Sequence, residues 1–249
     1  MQIYLSLENI YEKHRKVWNE KKLLRDIYSE WYRKILNDLS ASDGKTVELG
    51  GGSGNFKEFK PDVVSADIVP LKWLDMSFDA HDMPFKENEV SNLVLIDVLH
   101  HLHDPVKFLN EAYRVLNSGG RVVMIEPFPS PFSLMVYKIF HPEPFDKSAD
   151  YFSGLNSDSG KDPWDSNQAI PYLLFFKHLN KFNELFRDKF QFVKKEKFSF
   201  ILYPASGGFE NKQMIPDFMS GLFKVIEKTL TPLRDFLAFR CYIVLEKIK

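Results

Sequence analysis

The chain has a single cysteine, Cys241, so it can form no intramolecular disulfide and no zinc site built from paired thiolates. Lying in the apolar run Phe239-Arg240-Cys241-Tyr242-Ile243-Val244-Leu245, it reads as a small buried apolar residue. No stretch of about 18 apolar residues occurs, so no transmembrane helix is expected. The opening Met1-Gln2-Ile3-Tyr4-Leu5-Ser6-Leu7-Glu8 turns polar before a signal-peptide core can develop, and the expected location is cytoplasmic. An excess of charge of one sign is also missing. The 33 Lys and Arg stand against 34 Asp and Glu, a net charge of −1. That balance exerts no overall pull on a polyanion, and nucleic acid is not expected as a partner. Internal repeats and low-complexity tracts are absent.

What is present fits one elaborated domain of 249 residues, since two full domains would need more chain. Residues 1–42 read as a helical cap. Leu23, Leu24, Ile27, Tyr28, Trp31, Ile35 and Leu39 recur every three or four positions, which predicts two helices or one broken one with a single apolar stripe. Ser42-Asp43-Gly44 ends this region with turn chemistry.

From residue 45 the period changes. Strands are predicted at 45–49, 62–67, 74–79, 90–98 and 121–126. The nearly unbroken apolar run from Val90 to Val98 is the pattern of a strand buried on both faces. Asp104 with Pro105 predicts a helix start, and Asn117-Ser118-Gly119-Gly120 its stop. Strands alternating with helices imply right-handed crossovers and an α/β, doubly wound, mostly parallel sheet. After Glu126 the alternation lapses. Residues 141–167 lack periodicity and read as a lid or binding loop. A helix is expected at roughly 168–187, and strands at 190–203 and 239–247.

The segment Val47-Glu48-Leu49-Gly50-Gly51-Gly52-Ser53-Gly54 carries the first chemistry. A strand that enters a helix through glycines turns backbone N–H groups and a positive helix end toward a ligand. A dinucleotide fingerprint needs a third glycine, and Asn55 stands there instead. This weakens a nicotinamide-dependent oxidoreductase, though it remains an alternative. Asp67 ends the next strand 19 positions after Glu48, where an acid can accept both hydroxyls of a ribose.

These residues, with Asp79-Ala80-His81-Asp82-Met83-Pro84-Phe85, Val98-Leu99-His100-His101-Leu102-His103-Asp104-Pro105 and Glu111 to Gly120, resemble the successive motifs of class I S-adenosylmethionine-dependent methyltransferases. The branch that acts on quinones and related small molecules is the most similar. The resemblance covers residues 45–126, about a third of the chain. It implies a Rossmann-like sheet of seven strands, S-adenosyl-L-methionine as cofactor and S-adenosyl-L-homocysteine as product. It further implies that Gly50, Gly51 and Gly52 cradle the methionine part and that Glu48 lies near its ammonium group. Asp67 would hold the ribose, with Ile68 beside it. Asp79 and the Ala80 N–H would meet the adenine, and Asp97 would lie beneath the methyl group. Only 11 residues separate Asp67 from Asp79, so the helix that usually joins those strands must be very short or absent.

His100, His101 and His103 cluster after the fourth strand. A metal role is disfavoured, because the one carboxylate near them in sequence, Asp104, is better used as a helix cap. His100 or His101 could instead act as general base, with Glu126 as a second candidate. Each also has a plainer reading, as a loop-shaping histidine or a carboxylate bonded to neighbouring backbone. Residues 127–235 are expected to form the acceptor side and 238–247 the last strand. Their aromatics (Phe128, Phe132, Tyr137, Phe145, Tyr151, Phe152, Trp164, Tyr172), with Trp18, Trp31 and Tyr32, suggest a small-molecule, lipid-linked or sugar-type acceptor. A monomer or homodimer is expected. A protein that binds the cofactor without transferring the methyl group is the remaining alternative.

Overall fold

The computed structural model describes residues 2–140, 144–153 and 166–248, with the side chains of 2–6 and 140 excepted. Residues 141–143 and 154–165, which include Trp164 and much of the expected lid, lie outside the described residues.

Seven strands form one sheet: β1 (Lys45–Leu49), β2 (Val64–Asp67), β3 (Met76–Ser77), β4 (Val90–Ile96), β5 (Leu116–Pro127), β6 (Phe190–Phe198) and β7 (Arg240–Lys247). Their order is β3-β2-β1-β4-β5-β7-β6. Neighbours from β3 to β5 are parallel, and β7 runs antiparallel between β5 and β6. The mostly parallel, doubly wound expectation is met.

The central strands are apolar throughout because both faces are covered, and their side chains sort by alternation. Leu93, Leu95, Val122, Met124, Cys241, Ile243 and Leu245 enter one core. Val94, Val123, Ile125, Tyr242 and Val244 enter the other. The first core packs under α3 (Pro105–Val115) and under α5 (Ile170–Tyr172), which runs through a π-helical Leu173–Lys177 into α6 (Leu179–Phe186). Asp104 caps α3 as expected, accepting the Lys107 N–H at 2.8 Å. Cys241 is fully buried.

The other face departs from the expected alternation. The glycine turn leads into a single 3-10 turn, Asn55–Glu58, so no helix end faces the ligand side there. Residues 68–75 contain no helix, and β3 has two residues rather than the six expected. α1 (Gln2–Glu20) and α2 (Lys22–Asn37) cover this face instead. Tyr32 packs on Phe56 at 5.2 Å and on Phe59 at 5.0 Å, and the Trp18 indole donates to Glu58 Oε1 at 3.0 Å. The apolar stripe read from α2 is the surface that takes the place of a crossover helix.

β5 starts at Leu116, earlier than expected. Its register to β4 jumps from Val90↔Leu116 to Asn92↔Arg121, with Gly119 at φ +74° in the irregular turn between. Four further helices follow: α4 (Pro131–Phe140), α7 (Leu202–Ser206), α8 (Ser220–Thr229) and α9 (Arg234–Leu237). No described helix is long and apolar enough to cross a membrane.

Candidate functional site

The chain order reverses between β1 and β4. β2 and β3 lie to one side of β1, and β4 and β5 to the other. In sheets of this type, ligands bind at the carboxyl ends of the strands at that switch point. A cleft of about 1010 Å³ lies there. Glu48, Gly50, Gly51, Gly52, Asp67, Ile68, Asp79, Ala80, Asp97, His100 and His101 all line it. Glu126, the remaining candidate, does not line it.

The glycines are required by close approach. A Cβ on Gly50 would lie 2.4 Å from Val98 Cγ2, and its φ is +65°. A Cβ on Gly52 would lie 2.8 Å from the Tyr11 ring, with φ at +43°. Side chains would close this collar and strain it. Its carbonyls are held from outside, since the Trp73 indole donates to Gly52 O at 2.7 Å and Arg15 to Ser53 O at 2.9 Å. Asp67 holds it from within. One carboxylate oxygen accepts the Gly52 N–H at 3.0 Å, and the other accepts the Val69 N–H at 3.0 Å. Burial raises the Asp67 pKa, and those two N–H groups oppose the rise.

Glu48 is buried behind the collar. Burial, then the nearby Asp67 charge, raises its pKa to about 8. Its Oε2 has no hydrogen-bond partner, so it is a buried acceptor without a donor. Asp79 lines the cleft, and one of its oxygens accepts both the His81 N–H at 2.8 Å and the His81 ring at 2.6 Å. That ring hydrogen bond holds its pKa down at about 2.

At the centre, His100 Nδ1 lies 2.7 Å from Glu126 Oε2. Glu126 Oε1 accepts the N–H groups of Val98 at 2.9 Å and Leu99 at 2.7 Å. Glu126 is fully buried, which raises its pKa to about 7 against those two N–H bonds. It can therefore reach the cleft only through His100. The expectation that only Asp104 could serve the histidines as a carboxylate is corrected here. Asp97, His100 and Glu126 bring donor atoms within 4.8 Å of one another. Residues 26 and 29 positions apart, at the ends of two strands, converge, which spacing along the chain does not reveal. A cation is already supplied to this cluster, because Arg240 Nη1 donates to Asp97 Oδ1 at 2.5 Å.

The far half of the cleft is aromatic. Tyr28, Tyr32, Phe132, Tyr137 and Tyr203 line it with Arg240. Burial pushes the phenols of Tyr28, Tyr32 and Tyr203 up, so they are neutral hydroxyls and not bases. Of the aromatics expected near the acceptor, Tyr32, Phe132 and Tyr137 line the cleft. Trp18 and Trp31 pack in one core, and Phe128, Phe145, Tyr151, Phe152 and Tyr172 in the other. Tyr11, His14, Tyr203 and Arg240 are among the lining residues not anticipated. Arg240 had a signal, since it is the one charge in the apolar run from Phe239 to Leu245. Tyr11 and His14 had none, because nothing in a helical stripe says which loop it covers.

Sheet order, switch-point cleft and glycine collar together place the domain in the Rossmann-like methyltransferase fold. Residues 47–124 match the family model described as a methyltransferase domain, within the 45–126 that carry the motifs. The chloroplastic 2-methyl-6-phytyl-1,4-hydroquinone methyltransferase of Arabidopsis thaliana is 30% identical over 115 residues, covering 39% of this chain and 34% of that protein. The demethylmenaquinone methyltransferase of Thermus thermophilus is 29% identical over 152 residues, covering 51% and 66%. The chain thus spans about a third of the first relative and just under two thirds of the second. A SAM-dependent methyltransferase from Archaeoglobus fulgidus shares the fold at TM-score 0.55 and 16% identity, over 90% of this chain and 94% of that one. Residues 47–124 thus resemble a methyltransferase domain, and quinone methyltransferases are among the proteins to which the chain is similar.

The residues present fit S-adenosylmethionine as cofactor. A cationic amino-acid tail would answer the unpartnered Glu48 Oε2, and the collar has room for it only because no Cβ fills it.

Proposed function

We propose that the protein transfers a methyl group from S-adenosylmethionine to a small, largely apolar acceptor bearing an ionisable hydroxyl or an equivalent carbon, of the quinol type. The observation that carries this reading is one continuous cleft with two chemically different halves. A collar of bare backbone with Glu48 and Asp67 lies at one end, and a room of neutral tyrosines with Arg240 at the other. The similarity to two quinone methyltransferases supports the acceptor class.

In this reading Glu48 takes the ammonium of the cofactor, Gly50 to Gly52 its backbone, Asp67 the ribose, and the Asp79–Ala80 turn the adenine. The bound cofactor supplies a methyl group already activated by a positive sulfur. The chain has to align the acceptor and exclude water, which can contribute on the order of 7–11 kcal/mol. His100 stands at the boundary between the halves and takes the acceptor proton on the ring nitrogen that does not face Glu126. Glu126 fixes the ring and offsets the charge it gains. Arg240 and the tyrosine hydroxyls orient the oxygen of the acceptor. The division into helical cap, cofactor core and acceptor side belongs to the same reading. It differs from the expected one in that α1 serves both halves.

The test is incubation of purified protein with methyl-labelled S-adenosylmethionine and a panel of hydroquinones, phenols and sugar nucleotides, with products identified by mass spectrometry. Labelled product from the hydroquinones and phenols supports the reading. Cofactor binding with no transfer to any of them would favour the silent binding protein.

A further inference from the structure

The exposed apolar surface is gathered on one side of the molecule. Among the described residues, eight of the eleven exposed large apolar side chains lie on α4 or between residues 214 and 236. Phe218 is 86% exposed and Met214 65%. Leu222 and Val225 project from α8, Leu233 and Phe236 from the 3-10 turn and short α9 that follow, and Met135 and Ile139 from α4. α9 packs against α4, and α8 against the turns on either side of it, so these residues belong to one assembled face. Exposed apolar patches of this kind mark interaction sites.

α4 shows what the face is continuous with. Phe132, Val136 and Tyr137 line the cleft, while Met135 and Ile139 stand outside. The helix is therefore apolar on both sides, which a helix at a water-exposed surface is not. Met214 and Lys212 likewise line the cleft and are exposed.

Exposed cations outnumber exposed acids on this face. Lys138, Lys212, Lys228 and Arg234 are exposed. Of the acidic residues of the same stretch, Glu227 is half-buried while Asp217 and Asp235 are exposed, and each is engaged by a bond within the chain. Glu227 accepts the N–H groups of Phe200 at 3.0 Å and Leu202 at 2.9 Å. Asp235 accepts from Lys197 at 2.9 Å and Asp217 from Gln213 at 2.8 Å. What faces outward is apolar side chains fringed by four exposed cations against two exposed acids, a net positive rim of the kind that lies in the interface of an anionic bilayer.

We propose that α4 and residues 212–236 form a membrane-docking face that places the mouth of the cleft on an anionic lipid surface, so that an apolar acceptor passes from hydrocarbon to the aromatic half of the cleft without crossing water. The delivery of acceptor rests on the function proposed above; the docking itself does not.

The test is flotation of the full chain with vesicles of phosphatidylcholine alone and of phosphatidylcholine mixed with phosphatidylglycerol. Binding is expected to the mixed vesicles, to fall with added salt, and to weaken by about tenfold or more in the Phe218→Ser/Leu222→Ser/Val225→Ser variant, which removes the apolar anchors. Lys228→Glu/Arg234→Glu should weaken it on the anionic vesicles only. Calorimetry with S-adenosylhomocysteine should be unchanged in both variants, which also shows that they fold. Failure of the wild-type protein to float, or equal flotation of the triple variant, would overturn the proposal. So would a concentration-dependent dimer abolished by the same three substitutions, since a second copy would then cover the face. Flotation without any S-adenosylhomocysteine binding would leave the docking face standing and remove the function.

Discussion

Arg240 and Asp97 join across the tip of β5. Asp97 directly follows β4 in a left-handed conformation at φ +58°, and Arg240 opens β7 opposite Pro127. The guanidinium lies 4.3 Å over the Tyr203 ring, its Nη1 donates to Asp97, and its Nε has no partner. A buried charge with one counterion depends on that counterion.

Asp97→Asn should therefore destabilise the fold by about 3 kcal/mol, the lower end for a broken buried pair because Asp97 keeps some contact with water. Adding Arg240→Met should recover part of the loss, since no charge is then left buried. Urea unfolding of the two variants checks both signs. Equal stability of Asp97→Asn and wild type would show that the pair is not closed in solution.

Glu48 makes cofactor affinity depend on pH. Its pKa of about 8 in the fold exceeds the ordinary 4.5, so the folded chain holds a proton that the unfolded chain has lost. Stability then declines as pH rises from about 4.5 to 8. An ammonium placed beside it favours the ionised form, so S-adenosylhomocysteine should bind more tightly as pH rises toward 8 and release close to one proton at pH 7. Calorimetry in buffers of different ionisation enthalpy measures that proton. In Glu48→Gln it should vanish, together with the decline in stability.

Gly50→Ala should damage the collar in two separable ways. The contact with Val98 costs about 1–3 kcal/mol as overpacking, and the left-handed backbone costs roughly 1–2 kcal/mol. Val98→Ala in the Gly50→Ala background should relieve the first cost alone. Thermal unfolding and titration with S-adenosylhomocysteine of the single and double variants separate the two.

His100 and Glu126 should set the acid limb of any methyl transfer that removes a proton. With Glu126 near 7, kcat should rise through that region in wild type. Glu126→Gln should flatten or displace the limb while leaving S-adenosylhomocysteine affinity within about twofold, because Glu126 does not line the cleft. His100→Ala should lower kcat more than it changes cofactor affinity.

The cofactor half of the cleft was legible because its requirements are local. Bare backbone at a strand end and an acid one strand further on are written within twenty residues of each other. The sorting of β4, β5 and β7 into two cores follows from alternation and was legible for the same reason. The Asp97–His100–Glu126 cluster was not, since the ends of β4 and β5 meet only once the sheet is ordered. Nor was the short turn after the glycines, where a crossover helix was expected. Asn55 to Lys60 show too little apolar period to decide it, and the deciding partner, α2, lies before β1. Asp79 lines the cleft as its reading requires, and the bond that His81 makes to one of its oxygens is a local contact the sequence reading did not include.

The roof over Gly52 hangs from α1, a terminal helix, and not from the sheet. Tyr11 sits on the collar, and the helix is tied down by Lys13 and His14 to Glu210 and by Lys72 to Glu12, bonds that are largely at the surface and individually weak. Loosening of the part of α1 that carries Tyr11 would uncover the collar while every strand stays paired and Trp18 stays buried against Glu58.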